Sequence, residues 1–348
     1  MIGRMQGLFK IAGGDGHVAL KEVDIPHTGV GEVLIEIKAV GICGTDIHIL
    51  HDQYPNQPPV IMGHEFSGQV VEVGEQVTGY QVGDRVVGEP HTLACGKCEL
   101  CRTGYMQLCP SKRSIGRILN GAFARYLALP DSLLHHIPDA MTFDEAALVE
   151  PAANVVQDVI ERGGVQANDF VVVMGPGPIG LLSMMAARSA GAQEIALVGV
   201  RTDMKTRLPV GKELGADHVI LADSENVIET IGKLTGGRGA DVVIEASGSP
   251  AAIISTVPVV RRLGRILVIG MTGQAQVSFP WDAAIWKMCT MVFNYSTGYT
   301  AWEKAIGLIA SHKINAARLI THRLPLAEWQ TAFTAAEKGE AVKAILVP

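Results

Sequence analysis

The chain has 348 residues, 48% hydrophobic and 18% charged, with a formal net charge of −6. That length favours two domains over one, and the apolar content excludes a disordered polar chain. No basic stripe points to nucleic acid, no apolar run reaches a membrane span, and residues 1–10 carry no secretory signal, so a cytoplasmic protein is expected.

In chain order, residues 32–37 (EVLIEI) alternate polar and apolar positions as a half-buried strand does. Residues 70–74 and 84–88 continue that pattern between glycine and proline turns, and the region reads as an irregular, β-rich lobe. The rhythm changes near Glu150. Strand-like runs at 170–174, 195–200, 218–221, 242–246 and 266–270 then alternate with helical segments such as 181–190 and 205–214. This βαβ order predicts a doubly wound parallel sheet. After about Asp282 the texture is mixed again, ending in the apolar strand 343–347. The expected class is α/β, with a β-rich catalytic domain of residues 1–150 and 285–348 and a dinucleotide-binding domain of residues 151–284.

Four of the six cysteines, Cys95, Cys98, Cys101 and Cys109, follow the spacing C-x2-C-x2-C-x7-C. In a reducing compartment such a cluster points to metal rather than disulfides, and steps of three let a turning backbone converge thiolates on one tetrahedral ion. Four sulfur ligands leave no open position, so this zinc is structural. Cys289, in the apolar stretch 286–291, is expected to be a buried, inert thiol.

A second constellation is scattered. Cys43 lies in Gly41-Ile42-Cys43-Gly44-Thr45-Asp46-Ile47-His48, His64 and Glu65 in Gly63-His64-Glu65-Phe66-Ser67-Gly68, and Glu150 precedes Pro151. Cys, His and Glu are ligand types of a catalytic zinc, which keeps one position open or exchangeable. Further on, Gly175-Pro176-Gly177-Pro178-Ile179-Gly180 is a GxGxxG between a strand and a helix, the context that lets a pyrophosphate sit on a helix N-terminus. Gly175 permits the turn, Gly177 admits the phosphates, and Gly180 lets helix and strand pack closely; Pro178 and Ile179 complete the loop. The acid expected at the end of the second strand is missing: the residues there are Val198-Gly199-Val200-Arg201. Arg201 is a candidate for a 2′-phosphate, Asp203 could fold back in place of the acid, and NAD and NADP both stay open.

The pattern Gly63-His64-Glu65-x-x-Gly68-x5-Gly74-x-x-Val77 resembles the signature of zinc-containing alcohol dehydrogenases of the medium-chain superfamily. The Cys43 motif, the four-cysteine lobe and the dinucleotide loop follow in that family's order, and the likeness spans essentially the whole chain. It is most similar to the polyol branch typified by sorbitol (iditol) dehydrogenase. The resemblance implies a GroES-like catalytic domain and a Rossmann domain. It also implies a catalytic zinc held by Cys43, His64, Glu65 and Glu150, partly through water, and a proton relay through Thr45 and His48. The implied reaction moves a hydride between a small alcohol or polyol and NAD or NADP, in a homodimer or homotetramer with 285–295 at its interface. Two positions depart from the sorbitol branch: Asn294 stands where an arginine is expected, and Pro-Ala-Ala-Asn follows Glu150. The alternatives are a threonine-type amino-alcohol dehydrogenase and a non-catalytic zinc- or nucleotide-binding protein that keeps the fold.

Overall fold

A computed structural model describes residues 3–91 and 93–348. The chain divides into two compact units, one of Met1–Glu150, Gly298–Ala310 and Ile320–Pro348, the other of Pro151–Thr297 and Ser311–Leu319.

The first unit is built on a seven-stranded sheet. Its strands run in the order Ile320–Pro325, Lys343–Val347, Glu32–Gly41, Glu65–Val73, Arg85–Gly88 and Leu134–His136, with Tyr126–Pro130 also pairing to Glu32–Gly41. A smaller sheet joins Val18–Asp24, Arg4–Lys10 and Val60–Ile61. Alternation in Glu32–Gly41 sends Val33, Ile35 and Ile37 into a core with Phe66, Phe123 and Phe333. The central strand is therefore fixed from both sides.

One polar chain, buried at Glu89 and His135 and exposed at Glu303, ties the returning helix Tyr299–Ala310 to this sheet. His135 Nε2 lies 3.1 Å from Glu89 Oε1 and its Nδ1 lies 2.6 Å from Glu303 Oε1. Its ring stacks on Trp302 at 5.2 Å, and Glu89 also meets His91 Nε2 at 2.6 Å. Burial alone depresses the His135 pKa, but the two carboxylates outweigh it and raise it. Burial likewise pushes Glu89 up, yet His135 and His91 draw it below its ordinary value. A raised histidine stabilises the fold fully below 6.5 and loses that contribution as pH rises through its folded pKa; a lowered glutamate contributes above 4.5 and loses it as pH falls through its folded pKa. The network therefore contributes most between those two values. We expect the thermal midpoint to fall as pH rises above 6.5, and His135→Phe, which keeps the stack on Trp302, to remove that slope. Equal slopes in both proteins, followed by calorimetry, would assign the pH dependence elsewhere.

The second unit carries a six-stranded, wholly parallel sheet in the order His218–Leu221, Glu194–Gly199, Phe170–Met174, Ala240–Glu245, Val260–Val268 and Thr290–Phe293. The order reverses between Phe170–Met174 and Ala240–Glu245, and ligands of such sheets bind beyond the strand ends at that switch point. Both central strands are buried along their whole length, as strands covered on two faces must be.

The chain's return differs from the expected position at residue 285. Thr290–Phe293 pairs in parallel with Val260–Val268, so the sheet continues past 285 and the unit ends at Thr297, with Ser311–Leu319 added to it. The physical reason is that Thr290–Phe293 is an edge strand with no buried residue, so its short apolar run does not show in the sequence which sheet it joins. Cys289 beside it is half-buried rather than buried, its thiol facing the Ala284 carbonyl at 3.7 Å.

Candidate metal centres and dinucleotide site

Strand register assembles the first centre. Glu32–Gly41 and Glu65–Val73 are antiparallel with Gly41 opposite Glu65, so Cys43 and His64 leave their strands side by side. Gly63 turns the chain there with φ of +88°. The ligand atoms of Cys43, His64 and Glu65 all lie within 4.8 Å of one another. Glu150 is outside that trio. It is buried in the first turn of the helix Val149–Val155, close enough for its charge to act on Lys343.

Two further residues complete this centre. Lys343–Val347 pairs antiparallel to Glu32–Gly41 with Ile345 opposite Gly41, which carries Lys343 two residues further, beside Cys43. Its ammonium is buried, donates to the Ile42 carbonyl at 2.9 Å and forms an ion pair with Glu65. Burial lowers the Lys343 pKa, but the charges of Glu65, Cys43 and Glu150 outweigh that and raise it. Asp46 is fully buried in the helix Gly44–Leu50; its Oδ2 accepts from the Cys43 N–H at 2.9 Å. Its Oδ1 has no hydrogen-bond partner and lies 3.6 Å from His64 Nδ1.

That arrangement fits a metal. A histidine ligand usually turns one ring N–H to a carboxylate and offers the other nitrogen to the ion. Burial disfavours a charged His64, yet Asp46 and Cys43 raise its pKa well above 6.5, so the pocket favours a positive charge at this point. Asp46 and Lys343 were not singled out in the sequence. Asp46 is visible as the acid of Cys-Gly-Thr-Asp, and Lys343 as a cation opening an apolar strand.

Thr45 and His48 lie on the Gly44–Leu50 helix, three residues apart and therefore on one face. Thr45 is half-buried and His48 exposed, with His48 Nδ1 3.0 Å from Gln53 Oε1.

The second centre is the cysteine lobe. Cys95, Cys98, Cys101 and Cys109 bring their sulfurs within 4.8 Å of one another, with Cys95–Cys101 at 4.0 Å and Cys98–Cys109 at 3.9 Å. A tetrahedron with zinc–sulfur bonds of 2.3 Å has edges of about 3.8 Å. Backbone N–H groups of Cys95, Cys98 and Cys101 already point at cysteine sulfurs. Such donors pull Cys95 down to about 6, while burial and neighbouring thiols push Cys101 up to about 12. Four adjacent thiols cannot all ionise without a cation among them. The donor set fits zinc.

In the second unit, Gly175 adopts φ of +101°, closed to most side chains, and an added Cβ would meet Ser247 at 2.8 Å. At Gly180 the Gly175 carbonyl occupies the place of a Cβ, whereas at Gly177 there is open space. The helix Pro178–Ser189 begins there with proline in its first turn, and Ile179 and Gly180 follow within it. A cavity of about 810 Å³ is lined by Gly175, Gly177, Gly199, Asp203, Arg207 and Asp223, among others. Arg201 is not in its lining: the side chain is exposed, and the backbone N–H is held by Asp223 Oδ2 at 3.0 Å. Asn294 accepts from Arg162 Nε at 2.8 Å within the same unit.

Comparison with known proteins shows the family. Residues 29–139 match the alcohol dehydrogenase GroES-like domain and residues 178–311 the zinc-binding dehydrogenase family. A sorbitol dehydrogenase of Halalkalibacterium halodurans is 38% identical over 99% of both chains. An L-threonine 3-dehydrogenase of Bacillus licheniformis is 34% identical over the full length of both. Among solved structures, a zinc-binding dehydrogenase of Sinorhizobium meliloti bound to NADP superimposes with a TM-score of 0.93 at 30% identity, covering 99% of this chain and 100% of that one. The chain belongs to the zinc-type alcohol dehydrogenase family, with a GroES-like domain and a Rossmann domain. It is a zinc-dependent dehydrogenase that uses NAD or NADP.

The Glu65–Lys343 pair gives a direct test. Lys343→Met leaves a buried carboxylate without its cation, which costs about 3–5 kcal/mol. We expect that loss in metal-depleted protein, read as a shift in the denaturant midpoint. Zinc should restore part of it, because an ion at Glu65 replaces the missing charge. An unchanged midpoint in metal-depleted protein would show that the pair contributes nothing.

Proposed function

We propose that the chain transfers a hydride between a polyol or secondary alcohol and a nicotinamide dinucleotide, using a zinc held by Cys43, His64 and Glu65, with Glu150 as a further ligand through water. The convergence of the Cys43, His64 and Glu65 ligand atoms within 4.8 Å carries this reading. The sorbitol dehydrogenase relative supports the polyol class.

When bound, zinc supplies Lewis acidity toward the substrate oxygen, and the dinucleotide takes or gives the hydride. The chain's own residues supply the rest. Asp46 fixes the His64 ring, and Lys343 balances the negative charge that Glu65, Cys43 and Glu150 concentrate. Thr45 is placed to pass the substrate proton along the helix, and His48, steadied by Gln53, to hold it at the solvent end. The N–H groups at the start of Pro178–Ser189, with open space at Gly177, would hold the pyrophosphate. Cys95, Cys98, Cys101 and Cys109 hold the structural zinc, and thiols kept for a metal suit a reducing cytoplasm.

We also infer a homodimer or homotetramer. Thr290–Phe293 is the open edge of the parallel sheet, and Trp281, Ile285, Trp286, Met288 and Phe293 around it are each more than half exposed. An apolar, unpaired edge of this kind pairs readily with a second copy.

The test is turnover of a panel of polyols, simple secondary alcohols and threonine with each cofactor. We expect activity on polyols, and His64→Ala should abolish it while leaving dinucleotide affinity nearly unchanged. Metal analysis should find two zinc ions per chain, the one at Cys43 and His64 lost first to chelators together with activity. A single zinc in fully active protein, or turnover confined to threonine, would overturn the assignment.

A further inference from the structure

The strand Glu194–Gly199 ends without the acid that recognises the adenosine ribose in many Rossmann sites. Its last residue is Gly199. The next segment, the single 3-10 turn Arg201–Lys205, brings Asp203 back toward that glycine. Asp203 Oδ2 accepts from the Val200 N–H at 3.0 Å, and the same oxygen lies 3.1 Å from the place a Cβ at Gly199 would take. Pro176 of the phosphate loop flanks that place at 3.0 Å. The Asp203 carboxylate, with Pro176 and Leu208, thus closes round the place of a side chain on residue 199, and it lines the 810 Å³ cavity.

The charge around it decides which ribose fits. Asp203, Asp223 and Glu225 line the cavity with one cation, Arg207, whose NH1 is 3.7 Å from Asp203 Oδ1. Three carboxylates against one guanidinium leave an acidic lining. Such a lining accepts hydrogen bonds from ribose hydroxyls and repels a 2′-phosphate, which carries up to two negative charges of its own. Arg201, the arginine nearest in sequence, is outside the lining.

We propose that Asp203 replaces the missing acid, accepts from the adenosine ribose hydroxyls through Oδ1, and makes the enzyme select NAD over NADP. This rests on the dehydrogenase reading above. The opposing arrangement would release Arg207 from Asp203 to bind the 2′-phosphate.

The experiment is fluorescence titration of zinc-loaded protein with NADH and NADPH, which measures binding without turnover. Hydrogen bonds to a charged group are strong enough that NADH should bind about tenfold or more tightly than NADPH. Asp203→Asn keeps an acceptor for the Val200 N–H but removes the charge, and should lose most of that ratio. Returning the acid to the strand end, in Gly199→Asp with Asp203→Ser, should restore it. Equal binding of both cofactors by the wild type, tighter NADPH, or an unaltered ratio in Asp203→Asn would overturn the proposal while leaving the dehydrogenase reading intact. Binding of neither cofactor would overturn both.

Discussion

Glu65 and Lys343 meet in a space that excludes water, and much of the first unit is arranged to let them do so. A carboxylate and an ammonium removed from solvent each cost several kcal/mol unless their mutual attraction and added hydrogen bonds compensate. Here the compensation is visible: the ammonium also holds the Ile42 carbonyl and feels Cys43 and Glu150. Moving any of the three strands by one residue would turn the relevant side chains to the opposite face. The ion pair and the register therefore specify each other. Cys43 and His64 are placed as a consequence, since they extend from the same strand ends.

The two units solve opposite electrostatic problems. The first gathers thiolate and carboxylate groups, which repel one another until a cation joins them, and beside Cys43 and Glu65 it sets Lys343. The second, on the proposed reading, holds an anion, the pyrophosphate, and offers it backbone N–H groups rather than side-chain charge. It then surrounds the ribose end of its cavity with acids. On the proposed reading, recognition of phosphate and of ribose is divided between uncharged dipoles and full charges.

Much of this was legible in the sequence because short-range patterns carried it. The cysteine spacing, the GxGxxG between strand and helix, and the Phe170–Met174, His218–Leu221 and Lys343–Val347 strands all appear where local pattern puts them. What escaped was long-range or edge-dependent. Lys343 is a charged residue in an apolar strand, and only pairing with a strand some 300 positions earlier reveals its partner. Thr290–Phe293 is apolar in sequence, but with a neighbour on one side only it carries no local sign of the sheet it joins. At Gly199 the sequence shows an absence and offers Asp203 as a residue that could fold back; the bond from the Val200 N–H to its carboxylate is what three dimensions add.

The separation of 278 residues between Glu65 and Lys343 also has a meaning in time. During synthesis Cys43, His64 and Glu65 emerge first, and the cation that pairs with Glu65 follows 278 residues after it. Until then the half-built pocket gathers Cys43 and Glu65 without the lysine that pairs with Glu65. A nascent chain in that state has reason either to stay open to water or to recruit a metal ion ahead of its own lysine.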